Sequence, residues 1–240
     1  MKKLIFILLC FCLMTFGSSA RIIEVAPAGA WGVLGISGGG VVAEAPSWEI
    51  DEDFVSIADW TIIAGSWGPT SEQLDPDNSA DGSEVIYSSG QTFTNDFQQY
   101  AKFEFKDKGS GQVYLLLRLE SDGSGYAMQF NTSTDTVTWV AWDNWGYQAE
   151  IQSAQSLTID NFIGAEVYST EGVGNSSTEI RVWTWNTDPG ARANWGAVDV
   201  TFTDDPGTRV EDTGDYVGFC VYEPGTMLID NLQGGSAAAP

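Results

Sequence analysis

The sequence predicts an all-β protein, an antiparallel jelly-roll β-sandwich of about a dozen strands, with little or no helix after its leader. Three observations carry this. Apolar residues recur at every second position in one short run after another. Turn residues punctuate those runs at the close spacing of a sandwich or barrel. The chain then closes on two alternating segments, Tyr216 to Tyr222 and Met227 to Leu232, around a Pro224-Gly225 turn.

The elements follow in order. Residues 1–20 read as a cleaved signal peptide. Lys2 and Lys3 form a short basic region, Leu4 to Phe16 an apolar one, and Gly17-Ser18-Ser19-Ala20 the small residues of a cleavage site. The apolar run is too short for a comfortable membrane span. The expectation is a secreted protein without membrane insertion. Residues 21–46 are rich in Gly, Ala and Val and read as a flexible or loosely paired N-terminal arm, with apolar content enough to dock on the domain or on a neighbour. Residues 47–233 form the sandwich, and 234–240 a flexible C-terminal tail.

Within the sandwich, Phe103 and Phe105 oppose Lys102, Glu104 and Lys106. Val113, Leu115, Leu117 and Leu119 oppose Tyr114, Leu116, Arg118 and Glu120. Ile180 and Val182 oppose Arg181, Trp183 and Trp185, while Val217, Phe219 and Val221 oppose Tyr216, Cys220 and Tyr222. A strand with one buried face requires this period of two. Turn signals lie at Asp107-Lys108-Gly109, Ser121 to Gly125, Asp143-Asn144, Pro189-Gly190 and Pro206-Gly207. Four Trp-Gly pairs, at Trp31, Trp67, Trp145 and Trp195, read as Trp side chains plugging strand ends beside turn glycines.

Composition excludes several functions. The chain has 10 Lys+Arg against 33 Asp+Glu. Without the leader the balance is 8 against 33, or −25, a surface that repels nucleic acid and anionic lipid. There is no histidine, which removes Ser-His-Asp and Cys-His catalysis and His-ligated zinc. Only Cys220 lies beyond the leader, so no intrachain disulfide forms, and the thiol reads as a small buried hydrophobe.

The order of local motifs carries a resemblance. Asp53-Phe54, Ala58-Asp59-Trp60 and Ala64-Gly65-Ser66-Trp67 come first. Leu117-Arg118, Ser121-Asp122 and Gly125-Tyr126-Ala127-Met128-Gln129-Phe130 follow, then Gly214 to Phe219 and Leu228-Ile229-Asp230-Asn231-Leu232. Over roughly Trp48 to Leu232 the chain resembles the laminin-G-like, concanavalin A-like lectin/glucanase superfamily, in its secreted bacterial form. The resemblance implies two antiparallel sheets, one of them concave. It implies no single function, because the fold hosts lectins, carbohydrate-binding modules, glycosidases and adhesion modules.

Three groups of residues are candidates for a site. The first is Glu49-Ile50-Asp51-Glu52-Asp53, which is similar to the Glu-x-Asp-x-x-Glu strand motif of retaining glucanases. Here the last acid falls on Phe54, or on Asp53 in the bulged form, and the motif sits at the start of the domain instead of mid-chain. The second is aromatic. Arg181, Trp183 and Trp185 share a face of one strand, and Tyr216 and Tyr222 share a non-core face of another. Together with Arg118 they are the expected sugar-binding residues, rings stacking on sugar C–H faces and arginines bonding hydroxyls. Packing in a second apolar layer is the alternative. Trp139 and Trp142 point to opposite faces, so only one joins any platform. The third is metal. Glu52, Asp53 and Asp230 are expected to hold a structural calcium where first and last strands meet. Otherwise Asp230 and Asn231 bond the backbone at a bulge. Asn131-Thr132-Ser133 and Asn175-Ser176-Ser177 match the glycosylation sequon, and loop polarity also explains them.

The first functional reading is a secreted, non-catalytic module that binds carbohydrate or a cell-surface polymer. The second is a structural subunit of an extracellular filament, matrix or surface layer, self-associating through an arm that adds a strand to a neighbouring sandwich. The third is a carboxylate-dependent glycoside hydrolase.

Overall fold

The computed structural model describes residues 48–76, 83–95, 97–169, 178–204, 214–223 and 225–237. The leader, the whole of the arm, the Asn175 sequon and the Pro206-Gly207 turn lie outside the described residues.

Two antiparallel sheets form the fold. Sheet A runs, in spatial order, β13 (Val200–Asp204), β12 (Thr178–Trp185), β11 (Phe162–Ser169), β6 (Gln98–Asp107), β15 (Leu228–Ala237), β4 (Leu74–Pro76) and β3 (Trp67–Pro69), with β1 (Ile50–Glu52) also paired to β15. Sheet B runs β10 (Gly146–Ser156), β9 (Thr136–Asp143), β8 (Gly125–Asn131), β7 (Gln112–Leu119), β14 (Tyr216–Tyr222), β5 (Ser83–Ser88) and β2 (Trp60–Ala64). Among the described residues the helical element is one short turn, Arg192–Asn194. The result is a jelly-roll β-sandwich.

The alternation in the sequence sets the core. Phe103, Phe105, Val113, Leu115, Leu117, Ile180, Val182, Val217, Phe219 and Val221 all belong to one buried cluster between the sheets. Phe103 of sheet A meets Phe219 of sheet B edge-on at 5.2 Å between ring centroids, the arrangement that opposed ring quadrupoles favour. Trp139 joins this core, while Trp142 faces away from it.

Among the register shifts in the sheets, two β-bulges reorient residues expected at a site. At the first, Leu117 and Arg118 together stand opposite Val217, since Leu116 pairs with Gly218 and Leu119 with Tyr216. Arg118 takes a left-handed φ of 48°. An extra residue flips every side chain beyond it. Leu119 therefore leaves the face of Val113, Leu115 and Leu117 and joins a second cluster on the outer face of sheet B. At the second bulge, Asp230 pairs with Glu104 and Gln233 with Lys102, so Asn231 and Leu232 share one partner position. Asn231 has φ 50°, and its N–H donates to Asp230 Oδ1 at 2.7 Å. Ile229 and Leu232 both stay in the core as a result.

The last strand runs on to Ala237, so Gly234 to Ala237 are strand, where composition alone suggested a tail. The glycines are fitted to that course. A Cβ on Gly235 would lie 2.7 Å from the Tyr100 hydroxyl, and one on Gly234 would lie 3.1 Å from Phe93 Cε1.

Candidate functional site

The expected aromatic residues fall on the outer faces of opposite sheets. Arg181, Trp183 and Trp185 lie on β12 of sheet A, and Tyr216 and Tyr222 on β14 of sheet B. The sandwich stands between them, so no single platform includes both groups.

On sheet A Trp183 is packed away and Trp185 is half-buried. The segment after β12 folds back over the outer face and brings Trp195 against Trp183 and Trp185, at centroid separations of 5.2 Å and 5.1 Å. Trp185 Nε1 donates to Trp195 O at 3.2 Å, and Trp195 Nε1 to Gly190 O at 3.2 Å. Only glycine fits beneath, because a Cβ on Gly164 would lie 2.6 Å from the Trp185 ring. The Arg192 guanidinium stacks 4.4 Å from the Trp183 ring centroid. Trp183 is 1% exposed, which leaves none of its ring face for a sugar.

The charges on this face are paired as well. Glu166, fully buried, accepts from Arg181 Nη1 at 3.1 Å, Arg192 Nε at 2.6 Å and Gln98 Nε2 at 2.8 Å. A buried carboxylate survives only with partners of this kind. Arg181 also bonds Glu179. Lys102, fully buried, pairs with Asp188 and sits 5.7 Å from the Trp48 ring centroid.

Arg118 is not a ligand-facing residue in this fold. It is 0% exposed, and its Nη2 donates to Phe97 O and Ser169 Oγ, both at 2.9 Å. Its guanidinium lies 5.8 Å from the ring centroid of Tyr126, a core residue. The bulge turns it inward, where it ties β7 of sheet B to the ends of β6 and β11 in sheet A.

The acids do not converge either. Glu52 Oε1 accepts from Gln91 Nε2 at 2.6 Å. Asp53 Oδ1 accepts from the Val55 N–H, and Asp51 is exposed and bonds Gln233. Asp230 lies on the outer face of sheet A and pairs with Lys106 at 3.3 Å, because the Asn231 bulge turns it away from the core. Among the described residues, no group of three or more His, Cys, Asp or Glu side chains forms that would hold a metal ion. The trio Glu52, Asp53 and Asp230 therefore does not fit one calcium site. Within the Glu49–Asp53 run, Glu49 accepts from Thr94 Oγ1, Glu52 from Gln91 and Asp51 from Gln233.

Sheet B carries the other outward face. Its floor is apolar: Val85, Leu116, Leu119, Ala127, Val140, Trp142 and Cys220 are buried there, with Ala64, Tyr87, Trp145 and Tyr216 packed against them. The floor ends at a polar cluster. Register places Tyr114 beside Gln129 and Gln112 beside Asn131 on adjacent strands, with Tyr222 opposite Gln112. Tyr114 Oη donates to Gln112 Oε1 at 3.1 Å. Gln129 Nε2 donates to Tyr114 Oη at 2.6 Å and also to Gln112 Oε1.

Burial pushes the Tyr114 phenol well above the usual tyrosine range, and the nearby Cys220, Tyr147 and Tyr222 groups raise it further. Tyr222 stands across from Gln112, and Tyr147 across from Trp142, whose ring centroid lies 5.6 Å from that of Tyr114. Tyr147 and Tyr222 are the exposed rim of the face, at 51% and 39% exposure. Of the described outward strand positions here, the acid is Glu150, paired across to Val140. Tyr222 and Tyr216 were legible from alternation. Tyr114, Gln112, Gln129 and Tyr147 were not singled out, because strand pairing alone brings them together.

No protein-family model matches the sequence, and no curated protein matches it either. Solved structures do. The legume lectin-like domain from Entamoeba histolytica superposes with a TM-score of 0.50 at 9% identity, covering 79% of this chain and 97% of that one. This is the concanavalin A-like lectin/glucanase fold. The carbohydrate-binding module CBM66 from Bacillus subtilis is similar at TM-score 0.49 and 20% identity, covering 74% of this chain and 96% of that one. A β-glucanase from Bacillus licheniformis is similar at TM-score 0.45 and 10% identity, covering 77% and 96%. At these identities the likeness concerns the fold, and the chemistry has to be argued from the faces of this chain.

Proposed function

We propose that the chain is a secreted, non-catalytic carbohydrate-binding module that works through the outer face of sheet B. One observation carries the reading. Exposed Tyr147 and Tyr222 rim a face on which Gln112, Tyr114 and Gln129 form a preset phenol–amide cluster. Sugars offer C–H faces that suit aromatic rings and hydroxyls that suit amides. Tyrosine orders only two side-chain torsions on binding, so its contribution costs little conformational entropy. The fold supports the reading, as lectins and carbohydrate-binding modules share it.

Retention on a panel of immobilised glycans tests this. Tyr222→Ala and Gln129→Ala each weaken retention by about tenfold, the equivalent of about 1.4 kcal/mol, while thermal unfolding stays close to the parent. Unchanged retention in both variants would remove this face as the site.

A further inference from the structure

The cations of the molecule narrow the class of ligand. Six Lys and Arg side chains lie among the described residues, and each is engaged elsewhere. Lys102 pairs with Asp188, and Lys106 with Glu104 and Asp230. Arg181 and Arg192 hold Glu166. Lys108 Nζ donates to Ile159 O. Arg118 is buried between the sheets. The first four project from the outer face of sheet A or from the segment covering it. None of the six reaches the outer face of sheet B.

The polar cluster on that face consists of amides and phenols, which carry no charge at neutral pH, and the charged group at a described outward strand position is the acid Glu150. The full chain bears a formal charge of −23, so a polyanionic chain approaching the face meets repulsion with no cation among the described residues there to offset it.

The amide orientations add detail. Gln112 uses its carbonyl oxygen twice, for Tyr114 Oη and Gln129 Nε2. Gln129 uses its amino group twice, for Gln112 Oε1 and Tyr114 Oη. In this orientation one end of each amide is engaged within the cluster, which leaves the Gln112 amino group as donor and the Gln129 carbonyl as acceptor for a ligand; turning both amides over keeps the network and again leaves one donor and one acceptor. A pair of neighbouring hydroxyls, each able to donate and accept, matches that arrangement.

We infer that the ligand is an uncharged glycan recognised through its hydroxyls, and that uronates, sulfated glycans and other polyanions are excluded. The inference rests on the carbohydrate-binding reading above. Because no ion pair forms, affinity is insensitive to salt, unlike any contact made by the acidic surface.

Affinity electrophoresis of the full chain separates the cases. The gels contain a β-glucan, a fructan, a mannan, polygalacturonate, dextran sulfate or chitosan, each at about 50 mM and about 500 mM salt, which spans strong to weak screening. The expected result is retardation by at least one neutral polymer, with an affinity constant changing less than about twofold between the two salts. Gln129→Ala weakens it about tenfold, and Gln112→Glu, which puts a carboxylate where the donor was, weakens it at least as much. Stronger retardation by polygalacturonate or dextran sulfate than by every neutral polymer overturns the inference while leaving the carbohydrate reading intact. So does retardation by chitosan alone, and the loss of that retardation at high salt would mark it as surface charge. Retardation by no polymer overturns the carbohydrate reading, and the inference with it.

Discussion

Arg118→Met tests the buried role of the inward-turned arginine against a role at a ligand. The Arg118 guanidinium donates two hydrogen bonds, to Phe97 O and Ser169 Oγ, from a fully buried position. A hydrogen bond from a charged donor contributes about 1.5–3 kcal/mol, so the pair amounts to about 3–6 kcal/mol. Methionine keeps an unbranched stem that fills most of the space, which makes the cavity contribution small. It also removes a cation whose burial opposed folding, and that gain offsets part of the loss. Two acceptors remain without their donor. The net destabilisation is therefore about 2–4 kcal/mol, a large part of the stability of an ordinary domain. Urea unfolding followed by tryptophan fluorescence reads it directly. With a slope of about 2 kcal/mol/M, the midpoint falls by about 1–2 M. A midpoint within about 0.3 M of the parent, together with lost glycan retention, would refute the reasoning and return Arg118 to the ligand.

Two further outcomes follow from the packing. Trp183→Ala opens a void beneath Trp195 and Arg192 and costs about 3–5 kcal/mol. It leaves glycan retention unchanged, as parallel unfolding and affinity electrophoresis will show, and selective loss of retention would argue for sheet A as the binding face. The Glu52 carboxyl is held above the usual carboxylate range, chiefly by burial and then by the charges of Asp59, Asp53 and Asp51, against the pull of the Trp60 indole. An acid raised on folding stabilises the fold while protonated and loses that contribution as pH rises through its folded-state value. Glu52→Gln therefore melts above the parent at pH 7–8 and converges with it toward about pH 4. An equal difference at both ends of that pH window would count against this account.

Much of the fold was legible in the sequence because it depends on local alternation. Val217, Phe219 and Val221 are core and Tyr216, Cys220 and Tyr222 face away, as period two requires. The same holds for Ile180 and Val182 against Arg181, Trp183 and Trp185. Leu119 and Asp230 mark where alternation stops being a guide. Each follows or adjoins a non-glycine residue in a left-handed conformation, Arg118 or Asn231. Nothing in the flanking sequence declares those bulges, which arise when two strands must keep register with different neighbours on either side.

The sequence by itself determined an all-β chain, the residues that form its core, an acidic surface and chemistry without histidine. Tertiary structure decided which face each outward residue shares. Arg181, Trp183 and Trp185 turned to one side of the sandwich under a covering segment, and Tyr216 and Tyr222 to the other. Tyr114, Gln112 and Gln129 met only through the pairing of β7 with β8. The physical reason is that facing is a property of one strand, whereas sharing a face depends on strand order and register across the whole sheet, and a single bulged residue reverses it.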